Sequence, residues 1–435
     1  MPTRNRAHFL RRALASAREQ TWTDLEIVVS DNGSTDGTAE MVQALAEEDA
    51  RIRYVRRPTP GSMIESWLFA VNHARGELWT FLADDDALVP TAVETAVTTM
   101  SQHVVPMVVW RYAFYYHPVW HEPQRRNHLL LQPFTGTVTT PAIADTLARV
   151  FDQLVMIDWP QFSNSLLHRS VWSTMFELLD HSLPCAAGDC YAGLALLLAA
   201  ERYAVIDQPL TLYGWWNGSF TAGLTQEIAG CSRQEATASA AGKPSNHPPL
   251  PGVPLSFPLT TNLFTSALLQ AQRALSPRAD AFAVNWGRYF IKTREEIAWL
   301  RAKGLAGPEL ERTWQEALAQ QPTAVQHSVR SAERETMERR DGPHSFADRS
   351  SRPGPDDSRL SWRTRLRDFI NRHPFWFHWE TRCRPQLRLQ RAVLLDGRRL
   401  GFGDILGAAR YLPRLIARGF TAAHRRGRAC NGAVI

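Results

Sequence analysis

Apolar positions in the first hundred residues alternate between two periods, and each switch predicts a change of element. Phe9, Leu10, Ala13, Leu14 and Ala17 share one helical face, and an apolar strand follows at 26–30. After a polar loop at 31–36, a second helix runs through Met41, Val42, Leu45 and Ala46, with Asp36 or Thr38 as its cap. A short strand near 52–55 precedes a third helix at 63–73, which ends at Gly76. The apolar strand 78–83 then stops at three consecutive aspartates. This βαβαβ order predicts an α/β fold with a mostly parallel sheet and helices on both faces.

Beyond Pro90 the pattern gives a helix to about 102, a β-branched and aromatic strand at 104–116, a helix at 141–156 and a strand at 163–168. A long apolar helix follows at 186–200, starting near Asp189. Ser, Ala, Pro and Gly dominate 231–255, which reads as a flexible loop. The expected organisation is a catalytic-size domain at 1–230, that loop, a helical extension at 256–322 packed on the domain, a disordered linker at 323–361 and a C-terminal helical tail at 362–435.

Composition changes this picture little. The chain has 435 residues, 44% of them hydrophobic, enough for a large core. Its net charge of +6 is a property of the tail. Residues 361–435 hold 16 Arg against 4 acidic residues, whereas the remainder holds 33 basic against 39 acidic. The five cysteines lack paired C-x-x-C spacing and read as thiols of a reducing compartment. No apolar run reaches the roughly 18 residues of a membrane span. Nucleic-acid binding lacks a basic motif interleaved with aromatics.

Two acidic clusters sit where chemistry belongs in an open α/β sheet, just outside the carboxyl ends of strands: Asp31 with Asn32, and Asp84, Asp85 and Asp86. Adjacent carboxylates repel one another, and a divalent cation bridging a diphosphate would offset that charge. The plain alternative is that Asp86 caps the next helix while its neighbours face water.

Three segments then bear a resemblance. Pro2-Thr3-Arg4-Asn5-Arg6, Ile27 to Thr38 with its Asp-Asn-Gly-Ser loop, and Gly76-Glu77 with Phe81-Leu82-Ala83-Asp84-Asp85-Asp86 and Pro90 resemble the family 2 glycosyltransferases. They follow that family's order and spacing over roughly residues 1–220. The resemblance implies a GT-A fold and an inverting transferase of hexosyl type that uses a nucleotide-diphosphate sugar and Mg2+ or Mn2+. It makes Thr3, Arg4, Asn5, Asp31, Asn32 and Asp84 donor-nucleotide contacts, with Asp85 and Asp86 at the metal. Ala83 stands where many members carry the first acid of the Asp-x-Asp-Asp motif, and Arg4 stands where an aromatic residue often stacks on the base. A guanidinium plane can also stack there.

The family's base lies about a hundred residues after the aspartates, which points to Asp189 as the catalytic carboxylate. Its alternative role is the N-cap of the following helix. Trp159, Trp215 and Trp216 are candidates for covering an acceptor sugar, with core packing as the rival. His168 reads as a structural residue at a strand end. The tail at 405–428 alternates apolar residues with Arg410, Arg414, Arg418, Arg425 and Arg426, which suits either an anionic membrane surface or docking on the domain. The expected setting is cytoplasmic, peripheral at the inner face of the plasma membrane, with a glycan or lipid-linked acceptor in surface polysaccharide assembly. A sugar-phosphate nucleotidyltransferase is disfavoured, because the first hundred residues hold no Gly-rich loop followed by lysine.

The resemblance also implies a strand of about six apolar residues ahead of Pro2, of ordinary strand length. Only Met1 stands there. The expectation is a sheet without its first strand, weakened by lost ladder bonds and lost burial, and either a start further upstream or an impaired, non-catalytic relative.

Overall fold

The computed structural model describes residues 1–216, 250–341 and 393–417, apart from short breaks at 121, 133, 156–157, 182, 184–187, 256, 258, 303 and 305. The N-terminal third follows the expected alternation: β1 (Pro2–Thr3), α1 (Ala7–Arg18), β2 (Ile27–Asp31), α2 (Thr38–Glu48), β3 (Ile52–Arg56) and α3 (Met63–His73). The periodic apolar positions of α1 are buried, from Phe9 to Ala17. A capping box starts α3, with Glu65 N–H donating to Ser62 Oγ and Ser62 N–H donating to the Glu65 carboxylate. The cap expected for α2 differs. Its N-cap is Gly37 in the left-handed region, and Asp36 instead accepts from the Thr38 hydroxyl and from Ala7 N–H.

The chain continues through β4 (Leu78–Trp79), β5 (Ala87–Leu88), α4 (Ala92–His103), β6 (Met107–Tyr116), β7 (His128–Leu131), β8 (Val138–Thr139), α5 (Ile143–Gln153), β9 (Ser165–His168), α6 (Arg169–Leu178), α7 (Gly188–Ala200) and β10 (Ala204–Trp215). Four helices follow: α8 (Thr260–Ala274), α9 (Trp286–Ala302), α10 (Pro308–Ala319) and α11 (Thr323–Asp341). The last described elements are β11 (Val393–Asp396), a helical turn at Gly397–Leu400 and α12 (Ile405–Ala417). Among the described residues no helix is long and apolar enough to cross a membrane.

The strands form two sheets. β1, β2 and β3 make a small parallel sheet. A second, mixed sheet runs β11-β7-β6-β10-β5, with β9 bridging β6 to β4 and β8 on β10. Within it only β6 and β10 pair in parallel, so the parallel character is confined to the N-terminal strands and this central pair. The arrangement is the α/β class expected, with more antiparallel pairing than the βαβ pattern alone implies. The return from β6 to β7, residues 117–127, is too short for the crossover of a dozen or more residues that a parallel neighbour requires.

Between the two sheets lies a slot. A cavity of about 770 Å³ is lined by Met1 and Glu26–Val28 on one side, Leu78–Leu82 on the other, and Ala70, Val71, Val93 and Val97 from the covering helices. Met1 reaches only its near end, where its ammonium donates to Val28 O at 2.8 Å and its carbonyl accepts from Ser30 N–H. Burial holds that ammonium down at about pKa 5. The strand expected at 78–83 is correspondingly reduced to Leu78–Trp79. Its register is set by β9 alone, and the backbone of residues 80–83 has no ladder on the slot side.

The C-terminal half departs from the sequence expectation in two places. Residues 323–341 form a helix packed on α9, with Val329 buried, rather than the start of a linker. The tail docks on the N-terminal sheets: β11 pairs with β7, and α12 buries Ile405, Ala408, Ala409, Leu412 and Leu415 against α1, β5 and β10. Buried Asn127 ties the two together, receiving Gly397 N–H on its carbonyl and donating Nδ2 to Phe402 O at 2.8 Å. Arg12 pairs with Asp404 at 2.9 Å, and Arg410 with Glu19. The apolar face that suited a membrane surface is therefore covered by the protein's own core. Arg418, Arg425, Arg426 and all but the last few residues of the 231–255 loop lie outside the described residues.

A slot with an unpaired strand edge on each wall should accept one more strand. A chain carrying six apolar residues ahead of Met1 is expected to melt several degrees higher than the 435-residue chain in a thermal scan, since added ladder bonds and apolar burial stabilise by roughly 1 kcal/mol for each bond or buried methylene. Equal melting temperatures would contradict the slot's role.

Candidate functional site

The end of β2 and the turn after β1 are bound into one unit. Asp31 is fully buried; its Oδ1 accepts from Ser34 N–H at 2.7 Å, and its Oδ2 accepts from the Tyr54 hydroxyl at 2.5 Å and from Arg56 Nη1 at 3.3 Å. Asn32 clips its amide to both backbone groups of Gly61, each at 2.8 Å. Gly33 has φ +78°, and a Cβ there would meet Pro60 Cγ at 2.6 Å, so the loop requires glycine. Asn5, itself at φ 54°, accepts from Thr35 N–H on its Oδ1 and donates its own N–H to Ser34 Oγ. Arg4 projects outward, exposed.

The same turn reaches the aspartates. Thr3 Oγ1 donates to Asp84 Oδ2 at 2.8 Å, and Arg6 Nη1 lies 3.0 Å from Asp84 Oδ1 and 3.7 Å from Asp85 Oδ2. From the other side β10 closes in. Gly214 N–H donates to Asp86 Oδ1 at 2.9 Å, and Trp216 Nε1 donates to Asp85 Oδ2 at 2.8 Å. A Cβ on Gly214 would fall 1.9 Å from the Asp85 carbonyl oxygen, so only glycine lets strand and turn approach this closely. His117 packs on the same carbonyl, with Nε2 3.1 Å away, and burial brings its imidazole down to about pKa 4, so it is neutral at pH 7.

Three adjacent carboxyls this deep resist ionisation. Burial, and then the neighbouring Asp85 charge, push Asp84 up from 3.8 to about 6, despite the opposing pull of Arg6 and Thr3. Burial likewise raises Asp85, and burial with the Asp85 charge raises Asp86 well above the usual carboxylate range. Asp86 Oδ2 is buried with no hydrogen-bond partner. A hard, oxygen-preferring divalent cation fits such a group, since it would satisfy that oxygen and offset the charge. Among the described residues no three His, Cys or acidic side chains gather closely enough to hold an ion alone. The fit is therefore to an ion that keeps one or two carboxylates and takes its other ligands from substrate phosphate and water.

Asp189 lies in the first turn of α7, where its Oδ1 accepts from Cys190 N–H at 2.9 Å and its Oδ2 from Gln161 Nε2 at 3.2 Å. Burial raises its proton affinity. The Tyr112 phenol, which pairs with Ser163 Oγ at 2.8 Å, feels the charges of both Asp86 and Asp189, so the carboxylates line one region of the molecule.

The three tryptophans separate. Trp159 is 1% exposed and packs edge-on to Phe264 in the helical core, where its ring leaves no face for a ligand. Trp215 is also buried, stacked among Phe114, Tyr116 and Trp120, because alternate residues of β10 point to opposite faces of the sheet. Trp216 alone reaches the aspartates. His168 caps α6, its ring accepting from Ser170 N–H, as expected of a structural residue. Arg6, Tyr54, Arg56, Tyr112 and His117 join the site without having been singled out from sequence. Arg6 stood inside the first motif, whereas the others arrive through strand pairing, which no local pattern reveals.

Residues 1–162 match the family described as "Glycosyl transferase family 2". A GalNAc(5)-diNAcBac-PP-undecaprenol beta-1,3-glucosyltransferase of Campylobacter jejuni is 39% identical over 99 residues, 22% of this chain and 31% of its own length. Glycosyltransferase GlyA of Streptococcus pneumoniae is 30% identical over 232 residues, 52% of this chain and 32% of its own. The chain thus spans about a third of the length of these curated relatives. Among solved structures, S. aureus TarS 1-349 in complex with UDP-GlcNAc aligns with a TM-score of 0.44 at 16% identity, covering 73% of this chain and 90% of that one.

The buried charge makes a stability prediction. A carboxyl whose folded pKa of about 6 exceeds its ordinary 3.8 holds its proton longer in the folded state, so stability falls as pH rises from 3.8 to 6 and stays reduced above. Asp84→Asn is expected to melt higher than the unsubstituted chain at pH 7.5, with the gap closing towards pH 4. A melting difference that does not change with pH would contradict this.

Proposed function

We propose that this chain, whose residues 1–162 match the glycosyl transferase family 2, moves a sugar from a nucleotide-diphosphate donor to an acceptor hydroxyl with inversion at the anomeric carbon. The observation that carries this reading is the meeting of the Thr3–Arg6 turn, the Asp31–Ser34 loop and the Asp84–Asp86 cluster, joined by Thr3 and Arg6 to Asp84 and by Asn5 to Ser34. The nucleoside lies against Thr3, Arg4, Asn5, Asp31 and Asn32. Asp31 and Asn32 act mainly through the shape they impose, because their side chains are engaged within the protein. Asp84 and Asp85 face the ribose and the diphosphate. Asp85, with Asp86 behind it, would hold the Mg2+ or Mn2+, which when bound supplies charge to stabilise the departing nucleoside diphosphate.

Asp189 is the base. The acceptor oxygen forms its bond to the anomeric carbon as the bond to the diphosphate oxygen breaks; the leaving oxygen keeps the electron pair, and the hydroxyl proton passes to the Asp189 carboxylate. Burial favours this transfer by raising that carboxylate's proton affinity. Trp216 supplies the aromatic wall nearest the aspartates. The name of the C. jejuni relative describes transfer to a polyprenyl-diphosphate-linked glycan, and an acceptor of that class, in polysaccharide or glycolipid assembly at the cytoplasmic membrane face, is proposed here.

A donor screen that measures release of UDP, dTDP and GDP, with and without Mn2+, tests the proposal. One donor should turn over with metal, and Asp85→Ala and Asp189→Ala should each lower turnover by about 10²-fold or more, on the scale of general-base and electrostatic contributions. Turnover indifferent to both substitutions would refute the assignment.

A further inference from the structure

The structure points to a second role for the first motif: we infer that Arg6 occupies the cation's place beside Asp84 and Asp85 until a diphosphate arrives, so that the site takes up metal together with nucleotide rather than before it. The inference rests on the cation reading of Asp85 given above. Among the described residues, every ion pair to Asp84 and Asp85 comes from Arg6, whose Nη1 stands between the two carboxylates at 3.0 and 3.7 Å. Its guanidinium also lies over the Trp216 ring, 5.0 Å from the centroid, and Trp216 in turn donates to the Asp85 oxygen nearest Arg6. Phe9 also packs on the Trp216 ring, with centroids 4.6 Å apart and planes tilted by 53°.

Asp85 Oδ2 thus accepts from the Trp216 indole and faces the Arg6 guanidinium at ion-pair distance. A cation reaching that oxygen has to displace a guanidinium held by charge, by a hydrogen bond to Asp84 and by a ring beneath it. A bare ion offers Arg6 nothing in exchange. A diphosphate does, because its oxygens match the guanidinium fork as well as a carboxylate does. Arg6 can then pass from the aspartates to the phosphates as the ion takes its place, and the total charge near Asp84 and Asp85 stays balanced throughout. Its side chain is one-third exposed, which leaves room for that movement.

Mn2+ binding to the full chain without nucleotide, followed by the loss of the free-ion EPR signal, tests the inference. Arg6→Gln should bind Mn2+ at least about tenfold more tightly than the unsubstituted chain, because a competing state has been removed. Arg6→Lys, which keeps the charge, should bind it as weakly as the unsubstituted chain. Circular-dichroism melts establish that the variants are folded, and Trp216→Phe, which keeps the ring but loses the indole N–H, should tighten binding to a smaller degree. Equal Mn2+ affinity for all the proteins, or no binding by any of them, would overturn the inference. Failure of the underlying reading is separate: it would appear as turnover in the donor screen that ignores metal.

Discussion

Holding Asp84, Asp85 and Asp86 inside the protein is the constraint around which the rest of this molecule is arranged. Burial of three neighbouring carboxyls is costly, and the cost is met by groups brought from far along the chain. Thr3 and Arg6 come from the turn after β1, and Gly214 N–H and the Trp216 indole from the end of β10, while His117 from the end of β6 packs on the Asp85 backbone carbonyl. Each donor depends on its element's position, so the site exists only where both sheets and α1 are in place. The orphaned Asp86 oxygen shows that the compensation is incomplete in the protein alone.

That dependence gives the C-terminal segment its meaning. α12 packs on α1, the helix that Arg6 caps and from which Phe9 reaches Trp216, and also on β5, which directly follows the aspartates, and β10, whose Gly214 N–H donates to Asp86. It covers apolar surface on precisely placed helices without touching the carboxylates itself. Isolated surface ion pairs such as Arg410 with Glu19 contribute little to this attachment; the buried leucines and the Asn127 bonds hold it. The slot between the sheets is the opposite case. There Met1 supports the strand edge of β2 through its bonds with Val28 and Ser30, and the Thr3 that reaches Asp84 lies two residues away.

Much of the architecture was legible in the sequence where the signal is local. The apolar face of α1 and the α/β alternation needed only periodicity, and the motifs marked the loops that meet. Pairing between distant strands was not legible. The strand at 78–83 shrank because its length depends on a neighbour, a fact absent from its own residues. Trp159 and Trp215 looked like ligand-facing aromatics because exposure follows from which face of an element is covered, and that is decided by α8 and by the aromatic face of β6. The basic amphipathic tail likewise fitted two partners equally well by pattern. The surface it meets is fixed by partners far away in sequence: β7, which pairs with β11, and Asn127, in a left-handed turn more than 250 residues earlier.

The central claim is that three separated segments, 1–6, 31–36 and 84–86, form one nucleotide-binding unit. Amide hydrogen exchange, compared for the full chain alone and with Mn2+ and each of UDP, dTDP and GDP, tests it most directly. One nucleotide should slow exchange in all three segments together, over the same concentration range. Protection confined to one segment, or protection elsewhere with these three unchanged, would contradict the account.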